Sequence, residues 1–261
     1  MGALDISNLS LGICFLLLIF SVIISLILKL SLIKSILISV GRMTIQLLLI
    51  GIFLNYIFEW NNTFINIIWL LVMIFVAVFS VIKGSTLRPL KILIPTLLSF
   101  IISTFFIIFY INLFVIRIDN LFDAKYLVVI SGMLLGNTLR GNIIGLSHFY
   151  NNIKKDQKHF FYTLSMGASF FEAILPYLRE CLKDALKPTL ATMATTGIVA
   201  LPGMMTGNIL GGTSPDVAIK YQIMIMIAIF VCTNLSVLFT ILATLKVSFN
   251  AYGTLKNDIF S

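Results

Sequence analysis

Long apolar runs, each about the length of a bilayer crossing, alternate along this chain with short polar or basic connections. A hydrocarbon core of about 30 Å takes about 20 apolar residues per helix. Windows of that kind fall near 9–28, 36–58, 64–82, 92–114, 126–146, 191–210 and 221–245. The pattern predicts an all-α, polytopic membrane protein of about seven transmembrane helices, with 1–261 forming a single integral membrane domain. The run 9–28 is too long and too uniformly apolar for a signal-peptide core and has no basic stretch before it, so it reads as the first span.

Two of these windows are not uniformly apolar. Residues 197–212, Gly-Ile-Val-Ala-Leu-Pro-Gly-Met-Met-Thr-Gly-Asn-Ile-Leu-Gly-Gly, carry a proline, paired methionines and five glycines. A bilayer offers no water to unpaired backbone groups, so a break there must be satisfied by neighbouring protein or a wet cavity. Helices broken at membrane depth are a recurring way to build transport sites. Residues 132–142, Gly-Met-Leu-Leu-Gly-Asn-Thr-Leu-Arg-Gly-Asn, form a second candidate break. At 1.5 Å per residue, Gly136 and Asn137 lie about halfway through their span, at a depth similar to Ala200–Gly203. The expectation is two glycine-bearing breaks facing each other around a cavity. Gly203, Gly207 and Gly211 also form a GxxxGxxxG series, whose other use is close helix contact.

Between about His148 and Leu190 the pattern changes. Phe170, Ile174, Leu178, Leu182 and Leu186 recur at i+4 with Phe171 and Leu175 beside them, while Glu172, Arg179, Glu180, Lys183, Asp184 and Lys187 occupy the remaining surface. This predicts an amphipathic helix, interrupted at Pro176 and stopped near Pro188. It reads either as a helix lying at the membrane interface or as a docking element for a cytoplasmic partner.

Composition leaves little room for a separate soluble domain: 59% of residues are hydrophobic and 11% charged, against about one-quarter charged in a soluble domain. The net charge of +8 is no nucleic-acid footprint, because the basic residues cluster in short loops. With the N-terminus outside, the inward loops hold Lys29, Lys34, Lys83, Arg88, Lys91, Lys154, Lys155, Lys158, Arg179, Lys183, Lys187, Lys246 and Lys256. The outward segments hold only Arg117, Lys125 and Lys220, beside Asp5, Glu59, Asp119, Asp123 and Asp216. The positive-inside rule therefore predicts an N-out, C-in protein. Arg42 and Arg140 fall within spans, towards the inward half, where a long side chain can snorkel to the interface; Arg42 and Gln46 share a helix face.

Little here suggests enzymatic chemistry. Cys14, Cys181 and Cys232 are widely separated, and His148 and His159 sit in no metal-binding or hydrolase pattern, so no catalytic residue is assigned. No G-x-x-x-x-G-K-[ST] phosphate cradle occurs, so any ATP acts through a separate ATPase and this chain is expected to bind no cofactor. Acidic residues are absent from mid-span positions, which disfavours a proton-coupled carrier and leaves a passive channel open. Met133, Met204 and Met205 are soft potential ligands for a transition metal, and methionine is equally a filler of apolar interiors.

Several stretches carry a resemblance: Gly132-Met133-Leu134-Leu135-Gly136-Asn137-Thr138, Leu201-Pro202-Gly203-Met204-Met205-Thr206-Gly207, Ile209-Leu210-Gly211-Gly212 and Lys220-Tyr221-Gln222-Ile223-Met224. Over roughly 126–232 the chain resembles the FetB-type permease family; the first four spans match in hydropathy and in the Arg42…Gln46-Leu47 arrangement. The resemblance implies the membrane half of an ABC transporter, with a segment at about 148–190 coupling it to a separate ATPase through Glu172, Ala173, Pro176 and Arg179. It implies a two-plus-two assembly with a permease homodimer in the plasma membrane, and a link to iron export and oxidative-stress resistance. Plant relatives are linked to nucleotide-sugar transport, so a nucleotide sugar or other small solute is the alternative cargo. The chain departs from the family pattern at Thr192, Asn208 and Arg140. The substrate path is expected along the fifth and sixth spans, at Asn137, Thr138, Met204, Met205, Thr206 and Asn208, with Met133, Met204 and Met205 as metal contacts. An ATP-independent channel or secondary transporter and a non-transporting scaffold are the rival functions.

Overall fold

The computed structural model describes residues 7–85, 87, 89–250 and 253–256. Asp5 and Arg88, used above for orientation, lie outside the described residues. The chain runs through α1 (Asn8–Phe15), α2 (Leu18–Ile27), α3 (Ile33–Trp60), α4 (Thr63–Gly84), α5 (Pro89–Tyr110, continued by a π-helical turn Ile111–Ile116), α6 (Ala124–Lys155), α7 (Gln157–Ser165), α8 (Phe170–Thr195), α9 (Gly203–Leu210) and α10 (Pro215–Ser248). Among the described residues six helical stretches are long and apolar enough to cross a membrane: Leu9–Ile27, Ile33–Trp60, Thr63–Gly84, Lys91–Ile116, Ala124–Lys155 and Pro215–Ser248. This is a multi-pass all-α membrane protein.

The expected span at 191–210 is not one of the six. Its first residues are the end of α8, residues 196–202 are non-helical, and α9 supplies the rest. Pro202 lacks the N–H a helix interior needs, and Gly197 takes φ +92°, so the chain turns where a through-helix was expected.

Two further expectations are corrected. Residues 132–142 are no break, since α6 runs uninterrupted from Ala124 to Lys155. Its glycines serve close packing: a Cβ on Gly141 would stand 2.4 Å from Thr233 Cγ2, and one on Gly145 2.6 Å from Val237 Cγ1. Nor do Pro176 and Pro188 interrupt or stop α8, which contains both and continues to Thr195. Each proline removes one ladder bond; around Pro176 packing along one side outweighs that loss, with Ala173, Ile174, Tyr177, Leu178, Cys181 and Ala185 buried.

Side-chain pairs fix how the helices run. Thr138 Oγ1 donates to Cys232 Sγ at 3.6 Å, Asn142 Nδ2 to Ser236 Oγ at 3.0 Å and Tyr150 Oη to Thr244 Oγ1 at 2.8 Å. The constant offset makes α6 and α10 parallel and in register. Between α6 and α8 the numbering runs oppositely: His148 Nδ1 lies 2.9 Å from Asp184 Oδ2, and Asn152 Nδ2 donates to Glu180 Oε2 at 3.4 Å. Two parallel helices need a return between them, and α8, the non-helical turn and α9 make it.

The packed body consists of α4, α5, α6, α8 and α10, with Val78, Phe100, Leu134, Phe149, Ile174 and Val237 among its fully enclosed side chains. The α3–α4 turn is tied to the start of α6 by Asn61, which donates to Asp123 Oδ2 at 2.8 Å and accepts from the Ala124 N–H at 2.9 Å. Beyond that knot α3 stands away from the body; Ile57 is its one buried residue.

Candidate functional site

The α8–α9 return leaves a cavity of about 570 Å³ beside the N-terminal halves of α6 and α10. Its walls are Met133 and Asn137 from α6, Thr189 and Thr192 from α8, Pro202, Met204, Gly207 and Asn208 from the turn and α9, and Gln222, Ile225, Met226 and Ile229 from α10. Each wall follows from local sequence. Met133 and Asn137 are one helical turn apart on α6, and Gln222, Ile225, Met226 and Ile229 form an i, i+3, i+4, i+7 stripe on α10. Helix α9 follows Pro202, whose side chain makes no cap, and is closed off after Leu210 by Gly212 at φ +97°, with Thr213 N–H bonded to Asn208 O at 3.0 Å.

Among the described residues no charged side chain lines this cavity. Its polar groups are three carboxamides and two hydroxyls, with three thioethers beside them. Some are already committed: Asn137 Nδ2 donates to Met133 O at 2.9 Å and Thr192 Oγ1 to Pro188 O at 2.9 Å. Gln222 is 5% exposed and its Oε1 has no partner. A buried unpaired amide is costly, so a hydrogen-bonding guest is favoured here. Among the described residues no cluster of three or more His, Cys, Asp or Glu exists to hold a metal. A metal in the cavity would meet thioethers and amide oxygens, donors suited to softer cations and too weakly charged for a tight cage around a hard one.

Of the residues expected to line a path, Asn137, Met204 and Asn208 come together here, as does Met133. Thr138 does not: it is fully buried against α10, bonded to Cys232. Met205 is half-buried outside the cavity lining, and Thr206 Oγ1 donates to Pro202 O at 3.2 Å within its own turn. Gln222, Met226, Thr189 and Thr192 were not expected as wall residues. The signal for Gln222 was present, as a lone amide in a strongly apolar helix.

Glu172, Pro176 and Arg179 share one exposed face at the opposite end of α8. Ser169 caps the helix: its Oγ accepts from the Glu172 N–H at 3.3 Å, while Glu172 Oε2 accepts from the Ser169 N–H at 2.7 Å. This capping box holds the Glu172 carboxyl below its ordinary range, first through the Ser169 hydroxyl and then through its backbone N–H. Farther along, Lys187 and then His148 hydrogen-bond to Asp184 and hold its carboxyl low.

A second gap, about 720 Å³, opens between α3, α4 and α6 and is almost wholly apolar, with Gln46, Phe53, Met73 and Gly136 in its walls. Gly136 therefore faces away from the cavity that its neighbour Asn137 lines. Arg42 and Arg140 are both exposed.

Residues 8–249 match the family model described as UPF0014, an uncharacterised protein family. The chain belongs to this family. It is similar to "Probable iron export permease protein FetB" of Escherichia coli K12, 31% identical over 255 residues that cover 96% of this chain and 95% of the relative. It is also similar to "Protein ALUMINUM SENSITIVE 3" of Arabidopsis thaliana, 32% identical over 205 residues covering 76% and 71% of the two chains. A third relative, "UPF0014 membrane protein YjkA" of Bacillus subtilis 168, is 31% identical over 212 residues, 78% of this chain and 82% of its own. No solved structure matches.

The family match spans all the walls of the central cavity and both ends of α8. In this UPF0014 chain a 26-residue helix joins the exposed Glu172–Arg179 face to the cavity wall at Thr189 and Thr192. From Pro176 to Thr192 the distance along the axis is about 24 Å.

Proposed function

We propose that this chain is the permease subunit of an ABC-type exporter, working with a separate ATPase that docks on the exposed Glu172–Pro176–Arg179 face of α8. The observation that carries this reading is the continuity of α8. One rod exposes the Glu172–Pro176–Arg179 face along its first turns, and its other end forms part of the cavity wall at Thr189 and Thr192. A partner that tilts or shifts the rod changes the cavity directly. Switching between openings then needs only a rigid-body movement of α8 around the non-helical turn at 196–202.

The cargo we favour is iron or another metal ion, following the relative named as an iron export permease. Met133 and Met204 supply thioethers, and Asn137, Asn208 and Gln222 supply amide oxygens. Such neutral donors hold a metal loosely, which suits a site that must also release it. A nucleotide sugar or other small solute is the second reading, for which the wall carboxamides would hydrogen-bond sugar hydroxyls. The N-terminus is placed outside and the C-terminus in the cytoplasm of a plasma-membrane protein, on the charge bias of the loops. Two permease and two ATPase chains complete the assembly.

Co-reconstitution with the cognate ATPase in proteoliposomes tests this. The expected result is ATPase activity stimulated by the permease, with ATP-dependent iron movement. An ATPase indifferent to the permease would contradict the ABC reading, and stimulation without iron movement would redirect the cargo assignment.

A further inference from the structure

We infer that the groove between the end of α5 and the first half of α10 binds an anionic phospholipid, with Lys220 on its phosphate and one acyl chain laid along the groove. The binding rests on the membrane placement of the chain; its bearing on transport rests additionally on the function proposed above.

The groove has a volume of about 570 Å³. On α10 its wall is a stripe that includes Lys220, Ile223, Ile227 and Val231. The central cavity uses Gln222, Ile225 and Ile229 of the same helix, and at 3.6 residues per turn the two stripes lie about half a turn apart. The facing wall is the end of α5, where Ile111–Ile116 form a π-helical turn. Asn112 holds that turn: its Nδ2 donates to Leu121 O at 2.7 Å, and its carbonyl accepts from the Ile118 N–H at 3.2 Å. The i→i+5 bonding of such a turn keeps Val115 on the side of Ile111, and both line the groove.

The groove has a polar end and an apolar end. A short connection joins α5 to α6, and α6 runs parallel to α10, so α5 is antiparallel to α10. Cys232 hydrogen-bonds with Thr104 of α5, which brings Val115 level with Lys220 and Phe106 level with Val231. From a mouth at Lys220 and Val115 the groove therefore descends about 16 Å to a floor at Phe106 and Val231. That is the shape of a slot for a chain.

Among the described residues Lys220 supplies the only charge in this lining. It borders the apolar run 221–245, which sets its ammonium at the water–hydrocarbon boundary with the groove below it. Lys220 is exposed, and among the described residues no hydrogen bond or ion pair engages it. Of the charged residues that flank the mouth in sequence, Arg117 adds a second positive charge, and Asp119 and Asp216 form no ion pair with Lys220. A zwitterionic lipid brings its own cation to its phosphate, whereas an anionic lipid leaves that charge for the lysine. A free anion has no use for the apolar floor. Ile223 and Ile227 are 57% and 53% exposed, so an acyl chain enters from the side. Once seated, it braces α10 against α5 from behind the wall of the central cavity.

Native mass spectrometry of the full-length chain in detergent tests this, with dioleoyl phosphatidylglycerol and dioleoyl phosphatidylcholine offered together. The 29.1 kDa chain is expected to retain the anionic lipid about fivefold better, the effect of one interfacial lysine. Lys220→Gln removes that preference, Lys220→Arg keeps it, and Lys125→Gln, at another exposed lysine, leaves it unchanged. Dioctanoyl phosphatidylglycerol is held less well than the long-chain lipid, Ile227→Trp weakens retention of both, and millimolar inorganic phosphate displaces neither. Equal retention of the two dioleoyl lipids, or a preference indifferent to Lys220→Gln, would overturn the inference. So would displacement by phosphate, which marks a free-anion site, or a doubled protein mass in place of bound lipid, which gives the groove to a second copy. The same preparations, reconstituted with the ATPase, separate this site from the proposed function. A chain that stimulates the ATPase but shows no lipid preference sinks the site alone, and one that shows the preference without stimulation sinks the ABC reading alone.

Discussion

The glycines of α6 and those of α9 share a spacing of four residues, and their surroundings differ completely. Gly141 and Gly145 are pressed by Thr233 and Val237 of α10, close enough that any Cβ would collide. Gly203 and Gly207 face open space. On the α6 side, hydrogen bonds reinforce the contact: Asn142 to Ser236, and Tyr150 to Thr244 and Ser248. Lipid tails are as apolar as leucine, so membrane helices associate through close packing and polar pairs. The α6–α10 seam has both within one chain. Among the described residues nothing presses on Gly203 or Gly207 of α9, and Gly207 lines the central cavity instead.

The largest expected effect separates these two sites. Gly145→Leu must displace Val237 and costs about 3 kcal/mol of stability, at the upper end of overpacking penalties. Gly207→Leu leaves the thermal stability of a single copy within about 0.5 kcal/mol, as for an unencumbered surface change. Thermal unfolding of both variants in detergent, at a protein concentration where only single copies are present, checks this. Equal losses would erase the distinction.

A smaller loss probes the polar half of the α6–α10 seam. Tyr150→Phe removes the hydroxyl that bonds Thr244 and Ser248 in a fully buried setting and should cost about 1–2 kcal/mol. The same thermal measurement reads it. Adding Thr244→Val should then cost less than it does alone, because the pair shares one interaction.

Smaller still is the cap of α8. Ser169→Ala removes a capping-box partner and should cost about 1 kcal/mol, seen as earlier fraying of the N-terminal turn in hydrogen exchange. The pH dependence has a definite sign. The Glu172 carboxyl is depressed below its ordinary 4.5, so its contribution is complete above that pH. It is lost as pH falls through the depressed value. Glu172→Gln should flatten that acid limb and, by removing the charged cap, lower stability at neutral pH.

Much of the fold was legible in hydropathy. The windows near 9–28, 36–58, 64–82, 92–114, 126–146 and 221–245 each fall on one of the six long apolar helices. What hydropathy hid was the path of the return. Pro188 reads locally as a stop, yet α8 passes through it and continues to Thr195, about three turns beyond the buried face that runs from Ala173 to Ala185. Conversely, Gly132–Asn142 reads as a break and is a helix whose glycines admit Thr233 and Val237. The site was half legible. Asn137, Met204 and Asn208 announce themselves as polar or soft residues beside glycines, whereas Thr138 is of the same kind and points into the α10 seam. Only the pairing of α6 with α10 separates such neighbours. The walls contributed by Thr189, Thr192 and Met226 needed the continuous α8 and the parallel α10 to be seen.

The most direct test of the central claim, that α8 links an outer docking face to a gated cavity, is the reactivity of Asn208→Cys in a Cys14→Ser background. Membrane-impermeant thiol reagents are applied from each side of sealed vesicles that also contain the cognate ATPase. The predicted result is labelling from one side without nucleotide and a shift towards the other side with ATP, abolished by Arg179→Glu on the far end of α8. Labelling that ignores ATP, or a cysteine unreachable from both sides in every nucleotide state, would contradict it.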